Sequence, residues 1–504
     1  MPSEIQISTR QAGDATAATP GTTADPRRWL ILAVVALAQL MVVLDATIVN
    51  IALPSAQHAL HFSNIERQWV VTGYALAFGS LLLLGGRLAD IIGRKATFIV
   101  GLVGFAGASA VGGAAGSFGM LVAARACQGA FGALLAPAAL ALLTTTFEGS
   151  ADRGKAFGVF GAIAGAGGAV GLLLGGLLTQ YLDWRWCLYV NLIFAAIACA
   201  GAVALLRREP SRQRPRLDLP GLVTEVGGMF SIVYGFSNAA SDGWHAPATW
   251  GFLAAGAALL AAFGYIETRV SQPLLPLRIV LDRNRAASYL SILVTGAGMF
   301  GIFLFLTYYL QETLGFSPVM AGLAFLPMAG AIIVGANLAN IVLLPRVGPR
   351  LLVAPGMLAA AAGLAWLTRI GVHSSYAADV LPPLLLASAG LGFVMSPSMN
   401  TGTAGVASSD AGAASAMVNT GQQVGGSIGT SLLNTMAASA AASYLSSRLL
   451  TGGHPAAALA ELAQVHSYTT AFWWAAGMFA GGSVLAALLF RRGGSVSSVA
   501  ASRG

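Results

Sequence analysis

The feature that most constrains this chain is a series of long apolar runs that are interrupted only by short polar segments. An α-helix needs about 20 mainly apolar residues to cross a bilayer, and these runs reach that length. Of the 504 residues, 56% are hydrophobic and 9% are charged, whereas soluble domains carry roughly 25% charged residues. So few charges cannot cover a water-exposed surface, which excludes a soluble enzyme, a disordered protein and a secreted disulfide scaffold.

About fourteen runs have this length, and we predict an all-α membrane protein in which each run forms one transmembrane helix. The runs begin near Trp29, Trp69, Ala96, Gly119, Lys155, Trp186, Leu219, Ala248, Ala286, Pro318, Leu351, Leu381, Ala413 and Tyr468. The segments outside the runs are predicted to be a disordered cytoplasmic tail over 1–28, linkers over 207–218 and 268–285, and a second tail over 491–504.

The positions of the basic residues agree with this helix count, because cytoplasmic loops of membrane proteins carry an excess of Lys and Arg. With the N-terminus in the cytoplasm, 22 of the 27 Lys and Arg residues fall in cytoplasmic segments and four in external loops, while Arg125 lies inside a run. We therefore predict that both termini are cytoplasmic. The net charge of +8 reflects topology and not nucleic-acid binding.

Two features recur in the two halves of the chain at nearly one offset. They are the glycine triplets Gly167, Gly171, Gly175 and Gly421, Gly425, Gly429, offset by 254 residues, and the loops Ile92–Lys95 and Val347–Arg350, offset by 255. This pattern predicts two pseudo-symmetric six-helix bundles over 29–206 and 286–490, with two extra helices inserted over 219–267. Related halves around a central cavity are typical of transporters. Chance similarity between glycine-rich helices is the alternative.

Two ionisable residues lie inside apolar runs, where a charge is costly and usually faces a partner or a cavity. Asp45 lies about 16 residues into the first run, and Arg125 lies in the fourth. A nearby cation favours the carboxylate form of Asp45, whereas burial favours the neutral acid. We predict that the pair takes part in proton or substrate coupling, with the Asp45 carboxyl group in a water-reached chamber between the two helix bundles. The alternatives are a hydrated Asp45 at the end of a short helix and an Arg125 that is only a structural strut.

The loop after the second run combines glycines with charges of both signs. The residues with predicted roles there are Gly86, Asp90, Gly93, Arg94 and Lys95. Glycines permit a tight turn between helices, and Asp beside bases can form charge-assisted pairs on the cytoplasmic face. The alternative is a loop whose basic residues only set the topology.

The fifth run is rich in glycine, and the residues singled out are Gly161, Gly167, Gly171, Gly175 and Gly176. A dinucleotide-binding loop would require a preceding strand, and a long apolar run replaces it here. Small residues at spacing four allow two helices to approach closely. We therefore predict a helix-packing surface.

Other candidates carry less information. Tyr308, Tyr309 and Gln311 are candidates for a substrate cavity, although core or lipid-facing packing is the competing interpretation. Acidic residues near run ends are expected to be hydrated: Glu225, Glu312 and Asp410. The His residues show no metal-binding spacing, so no metal site is predicted.

Several segments together resemble the signature set of the major facilitator superfamily. They are Leu44–Pro54, Gly86–Lys95, Arg125–Gly129 and the glycine-rich fifth run. The count of fourteen runs, together with Trp184–Trp186 and Asn191, resembles the fourteen-helix drug–proton antiporter branch of that family. The chain departs from the antiporter motif at Leu172, where the family has a helix-bending proline.

The resemblance implies roles for named residues. Asp45 would be the first-helix acid for coupling, Arg125 the arginine tied to proton transfer, and Asp90, Arg94 and Lys95 a cytoplasmic latch. It also implies a protein of the bacterial inner or plasma membrane that works with a small-molecule substrate, protons and membrane lipids. No cofactor is expected, because a proton gradient would drive the cycle. A monomer is compatible with the sequence, which leaves the oligomeric state open.

We therefore expect a transporter that exports a small lipophilic or amphipathic compound in exchange for protons by alternating access. A proton-linked importer of a metabolite on the same scaffold is the alternative. A membrane-embedded enzyme would need a cluster of catalytic side chains at membrane depth, and the sequence offers none.

Overall fold

The computed structural model describes residues 27–64, 66–147, 152–206, 218–270, 273–404, 406, 411–449 and 456–491, which form helices and no strands. The all-α prediction is confirmed for these residues. The long helices are α1 Arg28–Leu60, α2 Gln68–Ile92, α3 Arg94–Gly113, α4 Phe118–Thr146, α5 Arg153–Tyr181, α6 Trp186–Leu205, α7 Leu219–Asp242, α8 Pro247–Glu267, α9 Arg283–Thr313, α10 Pro318–Val347, α11 Arg350–Leu367, α12 Tyr376–Thr403, α13 Ala411–Leu449 and α14 Ala456–Leu489.

Three of these helices contain π-helical segments. In α9 the last turn, Tyr309–Thr313, is π-helical, and α12 begins with the π-helical turn Tyr376–Val380. The helix α10 consists of two α-helical pieces, Pro318–Ala324 and Leu326–Asn337, followed by the π-helical Leu338–Leu343 and a final α-helical turn. π-helical turns are rare and concentrate at functional sites.

Twelve of the long helices in the described residues are long and apolar enough to cross a membrane. The helices outside this set are α5, in which the described apolar stretch is only Val170–Tyr181, and α13, which carries many polar side chains. The outward faces of the helices carry large exposed apolar residues, such as Val103, Ile197 and Val223 at 57–66% exposure. Such surfaces mark contact with lipid, and the chain is a multi-pass membrane protein.

The two halves of the chain repeat the same helix pairings. In the first half α1 packs against α5 and α6, and α4 packs against α2 and α3. In the second half α9 packs against α13 and α14, and α12 packs against α10 and α11. The loops at offset 255 also match in conformation, because Gly93 has φ 93° between α2 and α3 and Gly348 has φ 75° between α10 and α11. Only glycine adopts such angles without strain.

The helices α7 and α8 pack against each other, and α7 also contacts α2 and α13. Aromatic rings fill this junction. Tyr234 of α7 lies 4.5 Å from Phe252 of α8 and 6.0 Å from Trp69 of α2, between ring centroids. This pair of helices therefore lies beside the contact between the two halves.

Several helix ends differ from the bounds predicted by hydropathy. The helix α14 begins at Ala456, twelve residues before the predicted Tyr468, and α9 begins at Arg283. The side chain of Asp282 accepts hydrogen bonds from the amides of Asn284 and Arg285, which caps α9 before the apolar run starts. Hydropathy marks the part of a helix in lipid, while capping and helix propensity set where the helix begins.

Most glycines of the two triplets should not tolerate a side chain, because the helices touch there; only Gly421 leaves an ordinary contact distance of 3.4 Å to its nearest neighbour. A Cβ on Gly425 would lie 2.0 Å from the carbonyl oxygen of Leu293, whereas a Cβ on Gly107 would meet nothing within 4 Å. We expect Gly425→Ala to lower the melting temperature of the detergent-solubilised protein, because overpacking costs about 1–3 kcal/mol. Gly107→Ala, the control, should leave it unchanged or raise it. Equal melting temperatures for the two variants would contradict this packing.

Candidate functional site

The structure brings the two intramembrane ionisable residues into direct contact. The Nη1 atom of Arg125 donates to Oδ2 of Asp45 at 2.5 Å. Asp45 lies in the middle of α1 and is 0% exposed, and Arg125 of α4 is 2% exposed. The helices α1 and α4 thus meet at a buried ion pair.

Three neutral polar side chains complete the surroundings of Asp45. Asn191 of α6 and Gln128 of α4 donate to Oδ1 of Asp45 at 2.8 and 3.0 Å. The hydroxyl oxygen of Ser109, on α3, accepts from the same Gln128 and Asn191 amides at 2.6 and 3.3 Å. Both carboxylate oxygens therefore accept hydrogen bonds, and the polar cluster around them joins four helices.

The guanidinium of Arg125 has further partners on α2 and α4. Its Nε donates to the carbonyl oxygen of Val70 at 3.2 Å, and its Nη1 donates to Oε1 of Gln128 at 2.9 Å. The guanidinium carbon lies 4.4 Å from the centroid of the Tyr74 ring. A buried ion pair must recover the desolvation free energy of both charges, and such additional hydrogen bonds contribute to that recovery.

The position of this site differs from the prediction in one respect. Asp45 was expected in a water-reached chamber between the two bundles, whereas its carboxylate lies inside the N-terminal bundle among α1, α3, α4 and α6. The reason is the direction of the side chain, because Asp45 points toward α4 and α6 while Thr47 and Ile48 face α5. Hydropathy reports depth along a helix and not this direction.

A small apolar cavity lies next to Arg125, on the side of the α1–α2 and α5–α6 loops. It is lined by Val49, Ala52, Leu53, Ala56, Val70, Leu121, Arg125, Trp184, Cys187 and Leu188. The ion pair is thus separated from that end of the molecule by apolar side chains.

The glycines of α5 bring that helix against the turns of α1 that surround Asp45. A Cβ on Gly167 would lie 3.0 Å from Val43, and one on Gly171 would lie 2.1 Å from Oγ1 of Thr47. A Cβ on Gly175 would lie 2.9 Å from Ile48.

The next face of α5 contacts the second half of the chain. A Cβ on Gly176 would lie 2.6 Å from the carbonyl oxygen of Pro318 in α10, and one on Gly322 of α10 would lie 2.6 Å from that of Leu172. The helix α5 therefore connects the helix of Asp45 to the other bundle. The surroundings of Gly161 lie outside the described part of the chain.

The predicted cavity residues have a different environment. Tyr308 donates its hydroxyl hydrogen to Oε1 of Gln57, and Nε2 of Gln311 donates to the carbonyl oxygen of Ile51 at 3.1 Å. Both bonds join α9 to the end of α1, so these residues lie in the interface between the halves. Tyr309 points into its own half and donates to the carbonyl oxygen of Gly371 at 2.7 Å.

Sequence reasoning missed Arg67, which it counted as a basic residue of an external loop. The side chain is 3% exposed, and its guanidinium carbon lies 4.2 Å from the ring centroid of Tyr308 and 5.5 Å from that of Phe305. Both rings belong to α9 of the other half. A buried arginine in a loop has no sequence signature, because its aromatic partners lie more than 200 residues away.

The segment Gly86–Lys95, predicted as a loop, consists of the end of α2, the single connecting residue Gly93 and the start of α3, and its basic residues bind other helix ends. Lys95 donates from Nζ to the carbonyl oxygens of Val203 and Leu206 at 3.0 and 2.5 Å, at the end of α6. Arg87 donates to the carbonyl oxygen of Pro273, in the segment between α8 and α9. Arg94 begins α3 after Gly93, and the side chain of Asp90 lies outside the described part.

The three acidic residues expected to be hydrated differ from one another. Glu312 is partly exposed and contacts His58 of α1, with 3.1 Å between Oε1 and Nε2. Glu225 is 2% exposed, so the expectation of hydration is wrong for this residue. The packing of α7 against α8 covers it, although it lies near a helix end. Asp410 lies outside the described residues.

Within the described ranges, no cluster of His, Cys, Asp and Glu is placed to hold a metal ion.

The sequence profile of the Major Facilitator Superfamily matches residues 35–430. The puromycin resistance protein pur8 of Streptomyces alboniger is 51% identical over 467 residues, which cover 92% of each chain. The cephamycin export protein CmcT of Amycolatopsis lactamdurans is 40% identical over 80% of this chain and 83% of that protein. The tetracenomycin C resistance and export protein of Streptomyces glaucescens is 36% identical over 84% and 78%, respectively.

Solved structures share the fold at low sequence identity. A bacterial homologue of the human lysosomal transporter Spinster, in an inward-facing and occupied conformation, has a TM-score of 0.65 and 16% identity over 92% of this chain and 98% of that chain. The family match covers most of the helical region, and the similar proteins are transport and resistance proteins. The chain therefore belongs to the Major Facilitator Superfamily, and it is a membrane transport protein and not an enzyme.

Proposed function

We propose that this protein exports a small lipophilic or amphipathic compound, of the antibiotic or secondary-metabolite class, in exchange for protons. The observation that carries the proposal is the buried Asp45–Arg125 pair with its three polar partners, in a half that packs tightly against the other half through α5. The resistance and export proteins that resemble this chain over most of their length support the direction of transport and the class of substrate.

The ion pair is suited to couple proton binding to a conformational change. A proton on Asp45 would remove the charge that balances Arg125, and breaking a buried pair costs about 3–5 kcal/mol. Shifting two conformers from 1:99 to 99:1 requires about 5.5 kcal/mol. The two free energies are similar, so one protonation can account for much of the switch. A membrane potential adds about 2.3 kcal/mol per charge per 100 mV.

The contacts between α1 and α9, together with those between α5 and α10, form an interface that we assign to the closed external end of the transporter. The positive-inside pattern supports this assignment, because the α1–α2 loop lies on the side with few basic residues. Arg67 enters the aromatic rings of α9 at this end. It would have to leave them whenever the transporter opens outward.

We further propose that α5 and α13 also cross the bilayer, which makes fourteen transmembrane helices with both termini in the cytoplasm of a bacterial cell. Each of them packs along a helix of the long apolar set, α5 along α1 and α13 along α9. With fourteen spans the basic residues divide 22 to 4 between the two sides, with Arg125 inside the membrane. The helices α7 and α8 would then be the inserted pair.

Substitution of Asp45 should abolish export. We expect Asp45→Asn, expressed in an efflux-deficient bacterium, to give no more resistance than the empty host, because an amide cannot exchange a proton. The measurement is susceptibility to puromycin, cephamycin and tetracenomycin C, with and without a protonophore. Glu461→Gln, at an exposed position of α14, is the control and should resemble the unaltered protein. Full resistance in Asp45→Asn would refute the coupling role.

Removing the Arg67 side chain should open the external end. A desolvated cation–π contact contributes about 2 kcal/mol, which corresponds to a roughly 30-fold change in the ratio of open to closed forms. In a background without native cysteines, a cysteine at Ile51, which is 0% exposed, should react much faster with a membrane-impermeant maleimide after Arg67→Ala. Arg185→Ala, in another external loop, should leave the labelling rate unchanged. Equal rates in the two variants would argue against an external gate at Arg67.

A further inference from the structure

Three carboxyl groups lie together where α7 begins and α8 ends. Asp218, Glu225 and Glu267 are 7%, 2% and 4% exposed. Asp218 caps α7, and Glu225 lies seven residues later, two turns along the same face of the helix. Oxygens of Asp218 and Glu267 lie 2.3 and 3.2 Å from the point where a Cβ of Gly221 would be. These two carboxyl groups therefore approach each other across Gly221, one turn from Glu225.

The partners of the three groups differ. Asp218 accepts a hydrogen bond from the amide of Gly221 at 3.0 Å, and Glu267 accepts from the amides of Leu274 and Leu275 at 3.3 and 2.8 Å. In contrast, Oε2 of Glu225 is buried and has no hydrogen-bond partner. Oδ2 of Asp218 is also buried without a partner, but Asp218 and Glu267 each accept at least one backbone amide through another oxygen, whereas Glu225 accepts none among the described residues.

The charges around Glu225 do not compensate a carboxylate. From α8 it faces Glu267, and Asp218 lies on its own helix. The packed stretch of α13 carries no charged residue before Arg448. From α2, Arg87 reaches the region but binds the carbonyl oxygen of Pro273. An unpaired buried carboxylate costs so much free energy that such a group takes up a proton instead.

We infer that Glu225 is a second proton-binding site of the transporter, in addition to Asp45, and that it exchanges its proton during the transport cycle. This inference rests on the proposed proton-coupled export. In the conformation described here Glu225 holds the proton. The segment 273–275 gives it a connection to the moving parts, because Glu267 binds the amides of this segment and Arg87 of α2 binds its first carbonyl. A movement of α2 against α8 would change the surroundings of Glu267 and, through it, those of Glu225.

Infrared difference spectroscopy of the purified full-length protein, taken between acidic and alkaline buffer, tests proton binding without any transport. We expect the C=O band of a protonated carboxyl group to be lost in Glu225→Gln and kept in Asp45→Asn and in the control Glu461→Gln. In Glu225→Asp the band should remain at a shifted frequency, because a shorter acid has different surroundings; this variant also serves if Glu225→Gln does not fold. The inference would be overturned if neither Glu225→Gln nor Glu225→Asp altered the C=O band. It would also be overturned if this band did not respond to pH in the unaltered protein.

Proton release on adding puromycin in weakly buffered detergent solution tests the role in the cycle. We expect Glu225→Gln to release one proton fewer per bound puromycin than the unaltered protein. Equal release would overturn the exchange of the Glu225 proton. Absence of release from the unaltered protein would instead count against proton coupling itself, and the infrared result would still decide whether Glu225 binds a proton.

Discussion

The ion pair between Asp45 and Arg125 is the interaction on which the N-terminal half depends. Two opposite charges without access to water are tolerated only when each has enough hydrogen-bonding partners. Those partners come from α2, α4 and α6, and Ser109 of α3 in turn binds the Gln128 and Asn191 amides. Because the two charges need these hydrogen bonds, the helices that supply the partners must hold fixed positions relative to α1. The loss of either charge would therefore disturb the contacts of five helices at once, which is the structural basis of the proton coupling proposed above.

Close helix packing extends this effect beyond the first half. The glycines of α5 place its backbone against the turns of α1 that flank Asp45, and the neighbouring face of α5 lies against α10. Cores and interfaces packed this densely do not deform continuously but switch between arrangements. Leu172 of α5 packs against Gly322 of α10, and α5 contains no proline that could kink it at this contact.

The two halves share their helix pairings but not their chemistry. The offset of 254 residues that relates the glycine triplets takes Asp45 to Met299 of α9, and the second half has no buried ion pair among its described residues. The second half instead contributes aromatic rings, which receive Arg67. The two halves thus share a framework of helix pairings, while the buried carboxyl groups that we propose to bind protons lie in the first half and in the helix pair α7 and α8.

The sequence by itself determined that this chain lies in lipid, that it is helical, that glycine surfaces recur in its two halves and that Asp45 and Arg125 lie within apolar helices. Each of these points follows from composition, spacing or depth in an apolar run. Only the tertiary structure decided that Asp45 faces its own bundle, that Arg67 enters the other half and that Glu225 is buried. Helices that are apolar on all sides carry no signal for direction. Which way a side chain points, and which distant residue it meets, depends on how the helices pack.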